Sequence, residues 1–149
     1  NSFYQSKYTP LDGKERNTRW NGNYATTLVA GKEWINTTKT RIFGLNLRTI
    51  YRCGFRYTPI NAPLSEALGR TIYDEARAFE LQHPAYFRTD LRISWQWNRT
   101  KRTNTLSLDI QNVTNRQNIF GEYFDHKSNQ IKTIYQTGII PVINYKVEI

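Results

Sequence analysis

The longest regular feature of the chain is an alternation of apolar and polar side chains over residues 42–57, IFGLNLRTIYRCGFRY. Phe43, Leu45 and Leu47 fall on one parity, and Arg48 and Arg52 on the other. Strict period-2 alternation predicts a strand with one apolar and one polar face. A strand that crosses a bilayer needs about 9–11 residues, apolar toward lipid and polar toward a lumen. The segment meets that requirement, and it is well over twice as long as the usual ~5–6-residue strand.

The same alternation recurs along the chain and predicts about six long strands. They cover residues 2–8 (weakly), 17–35, 42–57, 86–97, 106–124 with a bulge near Asn112, and 132–149. The connections between them run medium, short, long, short and medium, which is typical of outer-membrane barrels with short periplasmic turns and long outer loops. The predicted fold class is all-β, an antiparallel up-and-down transmembrane β-barrel segment of about six strands.

Aromatic residues near the strand ends support a membrane-spanning interpretation. Trp34, Trp95 and Trp97 each precede a short turn, so in an up-and-down sheet they lie at one level, as an interfacial aromatic girdle requires. A second girdle is predicted near the opposite strand ends. It consists of Trp20, Tyr57, Phe87 and Tyr135.

Charged residues on the polar parity are predicted to face the lumen, where they pair with one another or contribute to the path of an anionic ligand. On the lipid face each would cost about 2–4 kcal/mol at the bilayer midplane. The predicted lumen-facing residues are Arg48, Arg52, Arg56, Arg88, Asp90, Arg92 and Asp109.

The long connection at residues 58–84 is the main irregular segment, and residues 64–81 within it have the spacing of a short helix. Loops of this length in compact domains are uncommon and often carry binding. Four of its residues are therefore predicted to contact a ligand or a partner. They are Tyr73, Asp74, Glu75 and Arg77.

The overall composition is polar but aromatic-rich, with 38% hydrophobic and 14% aromatic residues and a net charge of +9. A basic protein can bind nucleic acid, an anionic membrane or an anionic substrate. The cations are spread along alternating segments, which weakens the nucleic-acid interpretation. The single Cys53 excludes an intrachain disulfide and a cysteine-based zinc site. With no Met at position 1 and no leader sequence, the chain is expected to be a piece of a longer polypeptide, with a processed product as the alternative.

Catalytic and metal-binding patterns are absent from the sequence. There is no Ser/His/Asp grouping, no phosphate-cradling glycine loop and no plausible carboxylate pair. His83 and His126 lack ligand spacing. We therefore expect no enzyme activity, no cofactor and no metal.

Several stretches resemble the C-terminal part of TonB-dependent outer-membrane receptors, in particular the Bacteroidetes type. They are RNTRWNGNY (16–24), AGKEW (30–34), FRYTPI (55–60), TIYDEARAF (71–79), PAYFRTDLRISW (84–95), LDIQNVTNRQNIFGEYFD (108–125) and YQTGIIPVINYKVEI (135–149). The chain ends in Ile149, where chains of that family often end in Phe.

The resemblance implies the last six or so strands of a large barrel in the bacterial outer membrane, which imports a scarce nutrient such as a siderophore, glycan or peptide. Its implied partners are outer-membrane lipid, a plug domain and further strands of the same receptor, TonB through the missing N-terminal region, and a surface lipoprotein. Two alternatives stay open. One is a small basic β-protein that binds nucleic acid, and the other is a free-standing eight-stranded barrel.

Overall fold

The computed structural model describes residues 1–149 and contains twelve strands, one α-helix and one 3-10 helix. The strands are β1 (Ser2–Tyr4), β2 (Lys7–Tyr8), β3 (Arg16–Asn17), β4 (Asn23–Asn36), β5 (Arg41–Arg52), β6 (Arg56–Tyr57), β7 (Leu81–Gln82), β8 (Tyr86–Arg99), β9 (Arg102–Gln111), β10 (Ile119–Asp125), β11 (Gln130–Tyr135) and β12 (Ile140–Glu148). Helix α1 spans Ala62–Leu68, and the 3-10 helix spans Glu75–Arg77. Neither helix has the length and apolar character needed to cross a membrane.

The main element is a six-stranded sheet with the order β1-β4-β5-β8-β9-β12. Its registers confirm antiparallel pairing, with Trp95 opposite Leu106 and Leu106 opposite Tyr145. The predicted all-β, mostly antiparallel class is therefore confirmed. The prediction of six long strands holds for five of them, since β1 has only three residues.

The chain divides into two compact units. Unit 1 comprises residues 1–26, 51–86 and 117–136, and unit 2 comprises residues 27–50, 87–116 and 137–149. Unit 2 contains the five long sheet strands over most of their length and both short turns. Unit 1 contains the long connections, including the hairpin of β10 and β11 and the small pair of β6 and β7.

Most strand boundaries differ from the sequence prediction. The strand predicted for 2–8 is two short strands, β1 and β2, and the strand predicted for 17–35 begins only at Asn23. The strand predicted for 42–57 ends at Arg52, and the chain resumes as the separate short strand β6. The bulge predicted near Asn112 is instead a turn, because β9 ends at Gln111 and Asn112 has a φ of 52°. The strand predicted for 132–149 is two strands, of which β11 pairs with β10 and β12 pairs with β9.

The chain has almost no buried apolar core. Ala78 and Phe124 are the only buried hydrophobic residues. A water-soluble domain of this size normally buries about two thirds of the surface its unfolded chain exposes. In unit 2 several large apolar side chains of one sheet face are exposed instead, for example Ile143 at 74% exposure and Leu106 at 43%.

Candidate functional site

The polar side chains of unit 2 line a groove of about 540 Å³ on the sheet face opposite the apolar one. Alternation along β5, β8 and β9 places these side chains together, because side chains two residues apart on a strand share a face. Five of the seven residues predicted to face a lumen line this groove. They are Arg48, Arg88, Asp90, Arg92 and Asp109.

Ion pairs neutralise most of the charge in this groove. Arg88 donates from Nε to Oδ1 of Asp90 at 2.6 Å, and Arg92 Nε lies 3.6 Å from Oδ1 of Asp109. Asp109 also accepts from Nδ2 of Asn144 at 3.0 Å. Arg48 has no ion-pair partner, so the groove has one unneutralised positive charge available to an anionic group.

The other two predicted lumen residues, Arg52 and Arg56, lie in unit 1. The Arg52 guanidinium lies over the rings of Phe55 and Tyr86, at 3.8 and 4.4 Å from the ring centroids. Arg56 donates to the backbone oxygens of Asn21 at 3.0 Å and Glu80 at 3.2 Å. Both therefore organise the connections of unit 1.

Unit 1 contains a cavity of about 510 Å³. One wall comes from the connection between β5 and β8, and the other comes from the hairpin of β10 and β11. Its aromatic and polar lining fits a small ligand that has both apolar and hydrogen-bonding groups. The lining includes Arg19, Phe55, Tyr57, Tyr73, Glu75, Phe79, His83, Phe120, Glu122 and Tyr123.

A stacked ring pair forms part of the cavity wall. His83 and Tyr57 lie parallel, with 4.0 Å between ring centroids and 5° between ring planes. Burial lowers the pKa of His83 below 6.5, Glu122 opposes that shift and Arg19 adds to it. His83 is therefore neutral at pH 7 and can offer both a donor and an acceptor.

The four predicted loop contacts divide into two pairs. Tyr73 and Glu75 line the cavity, and Tyr73 is 47% exposed. Asp74 caps the 3-10 helix by accepting from the Ala76 N–H at 3.2 Å, and Arg77 pairs with Glu80 at 2.5 Å. Tyr73 and Glu75 are thus available to a ligand, whereas Asp74 and Arg77 are engaged within the connection.

The aromatic residues at the short-turn end of unit 2 form contacts with one another. Trp34 and Phe43 lie 5.5 Å apart between ring centroids, and Trp97 lies 6.1 Å from Tyr145. Trp34, Phe43 and Trp95 line a groove of about 430 Å³. The structure thus brings Trp34 and Trp95, two of the three members of the first predicted girdle, into one groove.

The members of the second predicted girdle lie in different environments. Trp20 packs edge-on against Phe55 at 4.9 Å, and Tyr57 stacks on His83. Tyr135 is exposed at the end of β11, and Phe87 is half-buried in β8. Trp20 and Tyr57 therefore make ring contacts with different partners.

Sequence reasoning missed most of the cavity residues, among them Phe55, Phe120 and Glu122. Glu122 and Phe120 belong to a hairpin that the sequence suggested was a continuation of the sheet. Periodicity along a strand carries no information about which connection it will contact, so no local signal identifies them. No group of three or more His, Cys, Asp or Glu residues is placed to hold a metal ion.

Comparison with protein-family models, characterised proteins and solved structures finds no match to this chain.

Proposed function

We propose that this chain is part of the β-barrel of an outer-membrane TonB-dependent importer, which takes up a scarce nutrient. The observation that carries the proposal is the uncovered apolar face of unit 2. Phe43, Leu106 and Ile143 are 41%, 43% and 74% exposed, and the chain has no apolar core that would stabilise it in water. Exposed apolar surface of this extent marks a membrane or partner contact.

The opposite face supports the same interpretation. Most of its charges are paired in the groove, as expected for a lumen that is wet or filled by another domain. In the proposed protein, this groove contributes to the path of the nutrient. The resemblance in sequence supplies the class of importer.

Nucleic-acid binding is the alternative, and the lining of the polar groove argues against a strand bound in that groove. Proteins that bind single strands put stacking aromatic rings beside the cations that hold the backbone. Here the groove that contains Arg48, Arg88 and Arg92 has no aromatic lining. The exposed rings of unit 2 lie on the apolar face among leucine and isoleucine.

Two adjacent residues of β12 provide a matched test of the membrane assignment. Ile143 lies opposite Leu108 on the apolar face, and Asn144 lies opposite Ser107 on the groove face beside Asp109. Ile143→Arg should cost about 2–4 kcal/mol of membrane stability. Asn144→Arg should cost little, because the new guanidinium can pair with Asp109.

The measurement is the fraction of each variant, introduced into the full-length protein, that is recovered in the outer-membrane fraction of expressing cells, with solubility in detergent-free buffer as a second readout. Strong loss for Ile143→Arg alone supports the proposal. Equal tolerance of both substitutions, with a soluble chain, would rule it out, since both positions are exposed to water in a soluble sheet. The importer assignment further requires that the full gene encode a plug domain and a TonB-binding segment upstream.

A further inference from the structure

Four cations lie on the apolar parity of unit 2, next to the short turns. Lys32 shares its parity with Trp34, and Arg41 shares its parity with Phe43. Arg99 follows Trp95 and Trp97 on β8, and Arg102 precedes Leu106 on β9 at the same parity. We call Lys32, Arg41, Arg99 and Arg102 the basic rim. All four are exposed.

The basic rim has no acidic counterpart on its own face. The four acids of unit 2 are Glu33, Asp90, Asp109 and Glu148, and each lies on the groove parity of its strand. None of the rim cations takes part in an ion pair. The positive charge of this face is therefore left for something outside the chain.

Two of these cations are held opposite each other. Arg99 pairs directly with Arg102 across the hairpin of β8 and β9, and the two-residue turn between them contains Lys101. Like charges at directly opposed positions destabilise a sheet. An anion bound between the two guanidinium groups would remove that repulsion and could accept hydrogen bonds from both.

An apolar groove adjoins the same rim. Trp34, Phe43 and Trp95 line it, and Arg41 lies at its edge. The Lys32 ammonium lies 5.5 Å from the centroid of the Trp34 ring, so its stem follows the apolar face. A ligand that fits this arrangement has an anionic head for the cations and a hydrocarbon chain for the groove.

We infer that the basic rim is a binding site for anionic phospholipids, whose phosphate lies between Arg99 and Arg102 and whose acyl chains contact the aromatic groove. The inference rests on the membrane assignment of the proposed function, but not on import. Each Lys or Arg near an anionic membrane surface contributes about fivefold in affinity. The interaction should weaken as salt increases.

Quenching of tryptophan fluorescence tests the inference on the whole chain held in detergent micelles. Every sample contains the substitution Trp20→Phe, because the three remaining tryptophans all lie in unit 2 and the fluorescence then reports on that unit alone. The probes are phosphatidylglycerol and phosphatidylcholine with identical brominated acyl chains. Phosphatidylglycerol should quench at a lower mole fraction. Arg99→Gln with Arg102→Gln should reduce that preference by about 25-fold. The matched control, Lys14→Gln with Lys127→Gln, removes the same amount of charge from unit 1. This control should preserve the preference for phosphatidylglycerol.

Each other outcome is informative. Equal quenching by both lipids would overturn the phospholipid site while leaving the membrane assignment intact. Quenching by neither lipid would overturn both. A preference that the control variant loses as strongly as the rim variant would show a general charge effect and no site. If a short RNA displaces phosphatidylglycerol when the two are added at equal concentrations of negative charge, the basic rim would instead be a nucleic-acid surface.

Discussion

Two charged side chains shift the pKa of His83 in opposite directions. Glu122 favours its protonated form and Arg19 disfavours it, while burial lowers the pKa overall. We expect Glu122→Gln to lower the pKa of His83 further and Arg19→Gln to raise it. NMR titration in a His126→Asn background follows a single histidine. Shifts of the same sign in both variants would contradict this arrangement of the cavity.

The same residue links the stability of unit 1 to pH. Because the folded pKa of His83 lies below the ordinary 6.5, the unfolded chain binds the proton more readily. The stability that neutral His83 contributes to the folded state is fully present above about pH 6.5. It is lost as the pH falls toward the pKa of His83 in the folded state. His83→Gln should flatten the dependence of thermal stability on pH below about 6.5, as followed by circular dichroism.

At the scale of single elements, close backbone approach makes Gly54 necessary for the pairing of β6 and β7. A Cβ at position 54 would overlap the His83 carbonyl oxygen, while a Cβ at Gly121 would meet nothing within 4 Å. Gly54→Ala should therefore expose the His83 N–H, which donates to Phe55 O at 3.0 Å. Gly121→Ala is the matched control and should leave this amide protected from hydrogen exchange. Equal protection in both variants would show that the connection can adjust.

The elements that the sequence predicted well are the strands that have one apolar face and one polar face. Alternation located β4, β5, β8, β9 and β12, and it separated their apolar residues from Arg48, Asp90 and Asp109. It failed at the ends of β5 and β9, where the chain leaves the sheet without a strong break in composition. Arg56 continues the parity of Arg52, yet it belongs to the separate two-residue strand β6.

The sequence identified only some of the residues that line the cavity of unit 1, for a related reason. Tyr73 and Glu75 were identified because they lie in a long irregular connection. Glu122 lies in a strand, and its contact with that connection depends on pairing between β10 and β11. Such long-range pairing follows from packing, which a single sequence does not specify through its local pattern.

At the scale of the whole molecule, the six-stranded sheet has two edges. β12 pairs with β9 on one side only, and β1 covers only the Asn23–Ala25 part of β4. The remaining length of β4 and the outer side of β12 therefore present unpaired backbone groups. An open sheet edge is not viable in hydrocarbon, where each unsatisfied polar group costs several kcal/mol.

This geometry predicts that the 149-residue chain alone does not form a stable monomer in membranes or detergent. Its edges should pair with other copies, so that size-exclusion chromatography with light scattering detects larger species. Electrophoresis without boiling should show no compact, heat-resistant monomer band. A folded monomer that resists heat would contradict the open sheet and favour a closed small barrel. Val142→Lys and Asn144→Lys add charge to the groove face of β12 but leave its outer edge without a pairing strand. These substitutions should not restore a monomer, whereas additional strands that pair with this edge should.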